Sequence, residues 1–128
     1  MLSSRIAITQ PVVLCNKLNV RKKRIWDVTK PGENAVCSGE FVPLLPYGIF
    51  HGFLASFLKT DLFTNELLAD SSGSSNSQKR VTPADILKVD ISVPSKSEQV
   101  KISTILDSID SLFVLHQRKF FYLKANER

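Results

Sequence analysis

The apolar periodicity of residues 95–128 constrains the fold more than any other feature of the sequence. Ser95-Lys96-Ser97-Glu98 has the spacing of a capping box, which satisfies the first backbone amides of a helix. Apolar residues then recur at steps of three and four and occupy three adjacent heptad positions. The predicted partner-helix interface consists of Ile102, Ile105, Leu106, Ile109, Leu112, Phe113 and Phe120.

A helix over residues 95–128 would be roughly 50 Å long at 1.5 Å per residue, which exceeds what one small domain can cover. We therefore expect part of its apolar stripe to pack on another helix, from a second copy of the chain or from another protein. The alternative is a terminal helix that folds back on its own domain.

The rest of the chain has the size and composition of one globular domain. The 128 residues are enough for one core and too few for two ordinary domains. Hydrophobic residues make up 43% and charged residues 23%, which argues against disorder. We predict an α+β fold, with a small mixed domain of short strands and helices over residues 1–94, followed by a long C-terminal coiled-coil-type helix over residues 95–128.

Basic residues concentrate in one segment near the N-terminus. The whole chain carries a formal charge of +5, and five cations fall within residues 17–24. These candidate nucleic-acid contacts are Lys17, Arg21, Lys22, Lys23 and Arg24. Lysine and arginine neutralise backbone phosphates, and the neighbouring Trp26 could stack on a base. The alternative is a solvated hairpin turn between two strands, and for Trp26 we favour a place in the core.

A second polar segment precedes the long helix. Residues 71–77 form a small-polar loop, and the segment 78–80 follows at once. Hydroxyls, an amide side chain and two cations suit contacts to phosphate oxygens and base edges. The candidate nucleic-acid contacts in this segment are Ser74, Gln78, Lys79 and Arg80. The glycine pair and the Gly-Lys-Ser ending of a phosphate-binding P-loop are absent.

Local patterns predict the remaining elements. One or two short strands are expected before Asn16, a strand over residues 35–45 interrupted at Ser38-Gly39-Glu40, and a helical run over residues 50–68 in which a second turn could start after Thr60. Thr82 and Pro83 predict a capped helical turn through Leu87. Alternating Val89, Ile91 and Val93 predict a strand that ends at Pro94.

One uncharged stretch, residues 41–58, reaches the lower length limit of a membrane-spanning helix. It contains Pro43, Pro46, Gly48 and Gly52, which disfavour a single helix. A buried strand, a turn and a buried helix explain the stretch better, so we expect no membrane association.

No residues converge on a catalytic or metal-binding pattern. Cys15 and Cys37 lack metal-ligand spacing, and two free thiols in a reducing cytoplasm are the simplest interpretation. Glu40 has no acid or histidine at a helpful spacing, and no nucleotide or methyl-donor motif occurs. We expect a cytoplasmic protein that is not an enzyme and has no metal or cofactor.

Several segments form a recognisable combination: Ser72-Gly73, residues 78–81, residues 87–94, residues 97–102 and residues 105–110. Together they resemble the specificity subunit of type I restriction-modification systems. That family typically shows a glycine/serine loop, a basic or polar segment, an alternating strand ending in proline, and a Glu-Gln-x-x-Ile opening of a long conserved helix. Residues 36–41 and 57–63 are similar to the middle of the same domain.

The resemblance implies that residues 1–94 form a partial DNA target recognition domain and residues 95–128 the conserved helix for dimerisation and subunit docking. Its implied partners are double-stranded DNA, the modification (methyltransferase) subunits, through them the restriction subunit, and a second specificity half or copy. Because the family has two recognition domains and two helical regions, we expect a fragment, a silent cassette or a half-subunit. The alternative function is an oligomerisation or adaptor protein that acts through its helix and does not bind DNA.

Overall fold

The computed structural model describes the backbone of residues 5–69 and 80–125 and the side chains of these residues up to Lys119. Within these ranges the chain is a mixed α+β structure with a long C-terminal helix, as predicted. In chain order the elements are β1 (Arg5–Ala7), β2 (Val12–Asn16), a short 3-10 helix (Val20–Lys22), β3 (Ile25–Val28), β4 (Val36–Ser38), β5 (Phe41–Leu44), α1 (His51–Leu58), α2 (Asp61–Leu68), α3 (Pro83–Leu87) and α4 (Lys96–Ala125).

The fold is built around β2, which is buried along its whole length. It forms the middle of an antiparallel sheet of order β3-β2-β5, and a separate two-stranded sheet pairs β1 with β4. Strands buried on both faces read as continuous apolar runs, which explains the uninterrupted Val12-Val13-Leu14-Cys15 segment. The predicted strand over residues 35–45 is two strands in different sheets, joined by a turn at Gly39-Glu40.

Successive residues of β2 face two different cores, because strand side chains alternate between faces. Val13 and Cys15 pack with residues of the helices, including Leu58 and Phe63, in the larger core. Leu14 belongs to a smaller core on the other face, to which Val28 and Phe41 contribute.

Trp26 lies on the face of the smaller core and is 65% exposed, so the expectation of a core tryptophan is wrong. Trp26 is in the edge strand β3, and it pairs across the sheet with Leu14 of β2. The smaller core covers Leu14 but is too small to cover a tryptophan at the edge of the sheet.

The predicted helical run over residues 50–68 is two helices, because α1 ends at Leu58 and Thr60 caps the start of α2. The Thr60 hydroxyl accepts a hydrogen bond from the Phe63 amide at 3.2 Å. Such a cap satisfies one of the free amides at a helix start, and Asp61 supplies the first-turn acid. The uncharged stretch 41–58 accordingly contains β5, a turn and α1. No described helix is long and apolar enough to cross a membrane.

Helix α3 forms as predicted, with a full capping box at its start. The Asp85 amide donates to the Thr82 hydroxyl at 3.3 Å, and the Thr82 amide donates to the Asp85 carboxylate at 2.9 Å. The following segment is not the predicted strand, because it pairs with no described strand. Its alternation still has a structural meaning, since Val89 and Ile91 line an apolar cavity of about 170 Å³ between β5 and the helices.

Helix α4 begins at Lys96 as predicted, with the Glu98 amide 3.4 Å from the Ser95 hydroxyl. Its first turns pack against α1, where Gln99 and Ser103 are buried. Every side chain from Thr104 to Lys119 is exposed, so this part of the helix receives no cover from the described domain.

Candidate nucleic-acid interface

The basic segment forms the turn between β2 and β3, and the buried side chain of Asn16 holds that turn in shape. Its Nδ2 donates to the backbone oxygens of Leu18 at 2.8 Å and Asn19 at 3.0 Å. Its Oδ1 accepts from the Arg24 amide at 3.2 Å. One side chain thus fixes both ends of the turn that carries the cations.

Two residues of this turn have left-handed backbone conformations. Asn19 has φ 56° and precedes the short 3-10 helix, and Lys23 has φ 49° and follows it. Asparagine tolerates this region well, whereas lysine visits it rarely. The turn reverses tightly on both sides of the 3-10 helix, and residues 21–24 are left on its outer side with Arg21, Lys22 and Arg24 exposed.

The backbone of Lys17 joins this turn to two distant segments. Its amide donates to the Glu40 carbonyl at 2.8 Å, and its carbonyl accepts from the Val81 amide at 2.8 Å. This double link sets Arg80 beside the cationic turn although the two are far apart in sequence.

A groove of about 210 Å³ lies where these three segments meet. Arg24 and Arg80 both line the groove, and so does Glu40, which lies in the turn between β4 and β5. The full lining is Asn16, Leu18, Asn19, Arg24, Glu40, Phe41 and Arg80. The groove therefore combines two guanidinium groups, two amides and one carboxylate, which are the groups that proteins use to contact phosphates and base edges.

Two of the candidate cations have acidic partners. Arg80 Nη1 lies 2.7 Å from Glu40 Oε2, with both side chains about half exposed. Lys23 forms an ion pair with Asp61 at the start of α2. The hydrogen bond and charge of Lys23 lower the pKa of Asp61 below its usual value. Such exposed pairs contribute little stability, so an anionic ligand can compete for the cations.

The described structure gathers six of the predicted DNA contacts around one turn and groove: Lys17, Arg21, Lys22, Lys23, Arg24 and Arg80. Ser74, Gln78 and Lys79 lie outside the described residues. Sequence reasoning missed Asn16, Asn19 and Glu40. The asparagines flank the basic run and could have been recognised as turn residues, whereas only the structure brings Glu40 to Arg80.

The predicted partner-helix residues lie on one exposed stripe of α4. Ile102, Ile105, Leu106, Ile109, Leu112 and Phe113 are all exposed, and the side chain of Phe120 lies outside the described part. The alternative that this helix folds back on its own domain does not hold for residues 104–119. The stripe is contiguous and apolar, and the described domain does not cover it.

The two cysteines and His51 take structural positions. Cys15 and Cys37 are both free. Burial raises the pKa of the Cys15 thiol to about 11, and burial also raises the pKa of Cys37 against an opposing effect of Lys17. His51 Nδ1 lies 2.7 Å from Asp27 Oδ2 and links α1 to β3. Among residues 5–69 and 80–119 there is no group of three His, Cys, Asp or Glu side chains placed to hold a metal ion.

Comparison with known families finds a match that covers most of the chain. The model of the type I restriction modification DNA specificity domain matches residues 27–120, which is 94 of the 128 residues. The matched span includes Glu40, Arg80 and most of α4, and it begins just after the cationic turn. No match to the chain is found among curated proteins or solved structures.

Proposed function

The chain belongs to the family of type I restriction modification DNA specificity domains, and from this premise we propose that it binds a specific double-stranded DNA sequence. In this role it is a specificity subunit, or a piece of one, that directs partner methyltransferase and endonuclease subunits to their target. The chain itself carries out no chemistry, and it acts in the cytoplasm.

The shared groove of Arg24 and Arg80 carries this proposal. The cations in the turn neutralise phosphates and set the register on the duplex, while the groove residues reach base edges. Arg24 and Arg80 each offer a planar set of donors that suits bidentate contacts to guanine or phosphate. Lys17, Arg21, Lys22 and Lys23 extend the cationic surface along the turn.

The second part of the proposal concerns α4. We assign residues 1–94 to partial target recognition and residues 95–128 to dimerisation and docking. The exposed stripe around Ile109 and Phe113 packs on a second specificity half or copy and supports the modification subunits. Through them the chain reaches the restriction subunit.

A salt titration of DNA binding tests the first part. The affinity of the full chain for a duplex should fall steeply with salt, because each neutralised phosphate contributes about −0.9 to the slope of log K against log salt. Replacing Arg21 and Arg24 with alanine should reduce this slope by about 2. Replacing Lys101 and Arg118, which are exposed on α4, removes the same charge and should leave the slope nearly unchanged.

The exposed stripe of α4 also supports a second function, an oligomerisation or adaptor protein without useful DNA affinity. The same titration separates the two functions. If the full chain does not bind DNA at low salt, or if its affinity is insensitive to salt, then the DNA-binding proposal fails and the adaptor function remains.

A further inference from the structure

Glu40 is an acid held in place inside a surface that otherwise attracts anions. Its amide donates to the Ser38 hydroxyl at 3.1 Å, and its carbonyl accepts from the Lys17 amide at 2.8 Å. Glu40 is therefore fixed on both sides of its backbone, at the turn between β4 and β5. A carboxylate in this position weakens phosphate binding, so its presence calls for a different role.

The bond between Glu40 and Arg80 leaves much of both groups available. It joins one guanidinium nitrogen, Nη1, to one carboxylate oxygen, Oε2, at 2.7 Å. The Arg80 side chain is 56% exposed and the Glu40 side chain 53% exposed. Arginine has five N–H donors, and an ionised carboxylate has two acceptor oxygens. The pair thus offers donors and an acceptor side by side at the groove.

This arrangement complements one edge of a base pair. In the major groove a G·C pair presents the acceptors O6 and N7 of guanine beside the N4 amino donor of cytosine. Arginine pairs with the guanine acceptors, and glutamate accepts from the cytosine amino group. An A·T pair lacks a second acceptor beside adenine N7 and offers its donor at a different position.

We infer that Glu40 and Arg80 together read a single G·C base pair, with Glu40 both accepting from cytosine and positioning the Arg80 guanidinium. This rests on the proposed DNA binding of the same groove. Glu40 repels phosphates, so it lowers affinity for every sequence and favours the sequence that satisfies its carboxylate, which is how repulsion contributes to specificity.

Asp61 provides a matched control. It also pairs with a cation of the same surface, Lys23, but it stands at the start of α2 and does not line the groove. Glu40→Gln and Asp61→Asn each remove one negative charge with little change of shape. Both should strengthen binding to all duplexes at low salt, because each frees a cation for phosphate. Only Glu40→Gln should change base preference.

The experiment selects duplexes from a randomised pool with the full chain and each variant, and then measures binding to the selected duplex and to its single-pair replacements. The unaltered chain and Asp61→Asn should prefer G·C over A·T at one position by about tenfold. For Glu40→Gln this preference should fall below about twofold, while the base preferences at the other positions of the duplex stay unchanged.

The outcomes separate this inference from the function on which it rests. If the unaltered chain binds DNA with a steep salt dependence and Glu40→Gln keeps the same base preference, the base-reading role of Glu40 is overturned while DNA binding stands. If Asp61→Asn relaxes the preference equally, the effect is one of net charge and the inference is also overturned. Absence of DNA binding by the unaltered chain overturns both.

Discussion

Gln99 shows how one buried side chain connects the long helix to the rest of the domain. It is 3% exposed. Its Oε1 accepts from the Phe50 amide at 2.8 Å, just before α1, and its Nε2 donates to the Pro94 carbonyl at 2.9 Å, just before α4. Gln99 belongs to the Glu-Gln-x-x-Ile opening of the helix that contributes to the family resemblance, and these two hydrogen bonds give the glutamine a structural role.

Replacing Gln99 with leucine should destabilise the chain by about 1–3 kcal/mol for each partner left buried and unsatisfied. Leucine keeps much of the volume but offers neither the donor nor the acceptor. Urea unfolding followed by circular dichroism measures the change. Lys101→Leu, on an exposed position of the same helix, should change stability by less than about 0.5 kcal/mol. Equal effects of the two variants would contradict the role of Gln99.

Cys15 should make stability depend on pH in the alkaline range. Burial raises the pKa of its thiol from 9.0 to about 11, because the thiolate is poorly solvated in the core. The folded state therefore favours the neutral thiol. The stabilising contribution is fully present below pH 9 and is lost as the pH rises towards 11.

Between pH 8 and pH 10.5 this loss should reach about 2 kcal/mol. The measurement compares urea unfolding at both pH values for the unaltered chain and for Cys15→Ala. The variant keeps all other alkaline groups, including Cys37, so the difference between the two slopes isolates Cys15. Parallel pH dependence of the two proteins would exclude this effect.

At the residue scale, sequence patterns predicted the local roles of residues better than their burial or their contacts with distant residues. The capping roles of Thr82 and Ser95 were predictable because a cap depends on neighbours within one turn. The exposure of Trp26 was not, since it depends on which strand lies at the sheet edge and how large the facing core is. The Glu40–Arg80 pair was also hidden, because its members are 40 positions apart and are brought together by the backbone hydrogen bonds of Lys17 to Glu40 and Val81.

At the scale of elements, the crossing of α1 and α4 depends on a glycine. A Cβ at Gly52 would overlap the Ser103 hydroxyl and lie 3.1 Å from the Phe50 ring and 3.2 Å from Ser103 Cβ. Gly52 and Ser103 are both buried at this contact. The small residue lets the two helices approach closely, so the first turns of α4 are fixed against the domain.

Gly52→Ala should destabilise the chain by about 1–3 kcal/mol, because overpacking outweighs the gain of about 1 kcal/mol in helix propensity. Adding Ser103→Ala removes the hydroxyl and should recover part of this loss, which a double-mutant cycle measures. Gly32→Ala is the control, since a Cβ there meets nothing within 4 Å. Additive effects of Gly52→Ala and Ser103→Ala would refute the close contact.

The prediction of a strand over residues 89–93 was wrong, because a strand needs a neighbouring strand to pair with. Of the alternating residues Val89, Ile91 and Val93, the first two line the apolar cavity. A strand also requires a neighbour with free backbone groups, and no described strand pairs with this segment. Alternation reports which side chains are buried, whereas hydrogen-bonded pairing is decided by the whole fold.

At the scale of the whole molecule, the domain and the long helix differ in how they are stabilised. Residues 5–69 and 80–103 contain the buried cores, the capped helices and the groove. From Thr104 to Lys119 the helix continues for roughly 24 Å without cover, at about 1.5 Å per residue. Helices in proteins gain most of their stability from the packing of an apolar face, so we expect this part of α4 to be stabilised by a partner.

The apolar stripe on α4 should supply that partner contact. Ile109 and Phe113 are 55% and 61% exposed and stand one turn apart on the same face. Replacing both with aspartate should abolish self-association and pull-down of modification subunits. The free energy of unfolding of the domain should stay within about 0.5 kcal/mol of that of the unaltered chain, because neither side chain contributes to its cores.

Thr104→Asp with Ser111→Asp is the matched control, since it adds the same two charges on the opposite face of the helix, seven residues apart. This variant should keep the association, measured by elution volume and light scattering at several concentrations. If both pairs of substitutions abolish association, added charge accounts for the loss. If the Ile109 and Phe113 variant associates as before, the stripe is not the docking surface, since two buried aspartates would be incompatible with a packed helix pair.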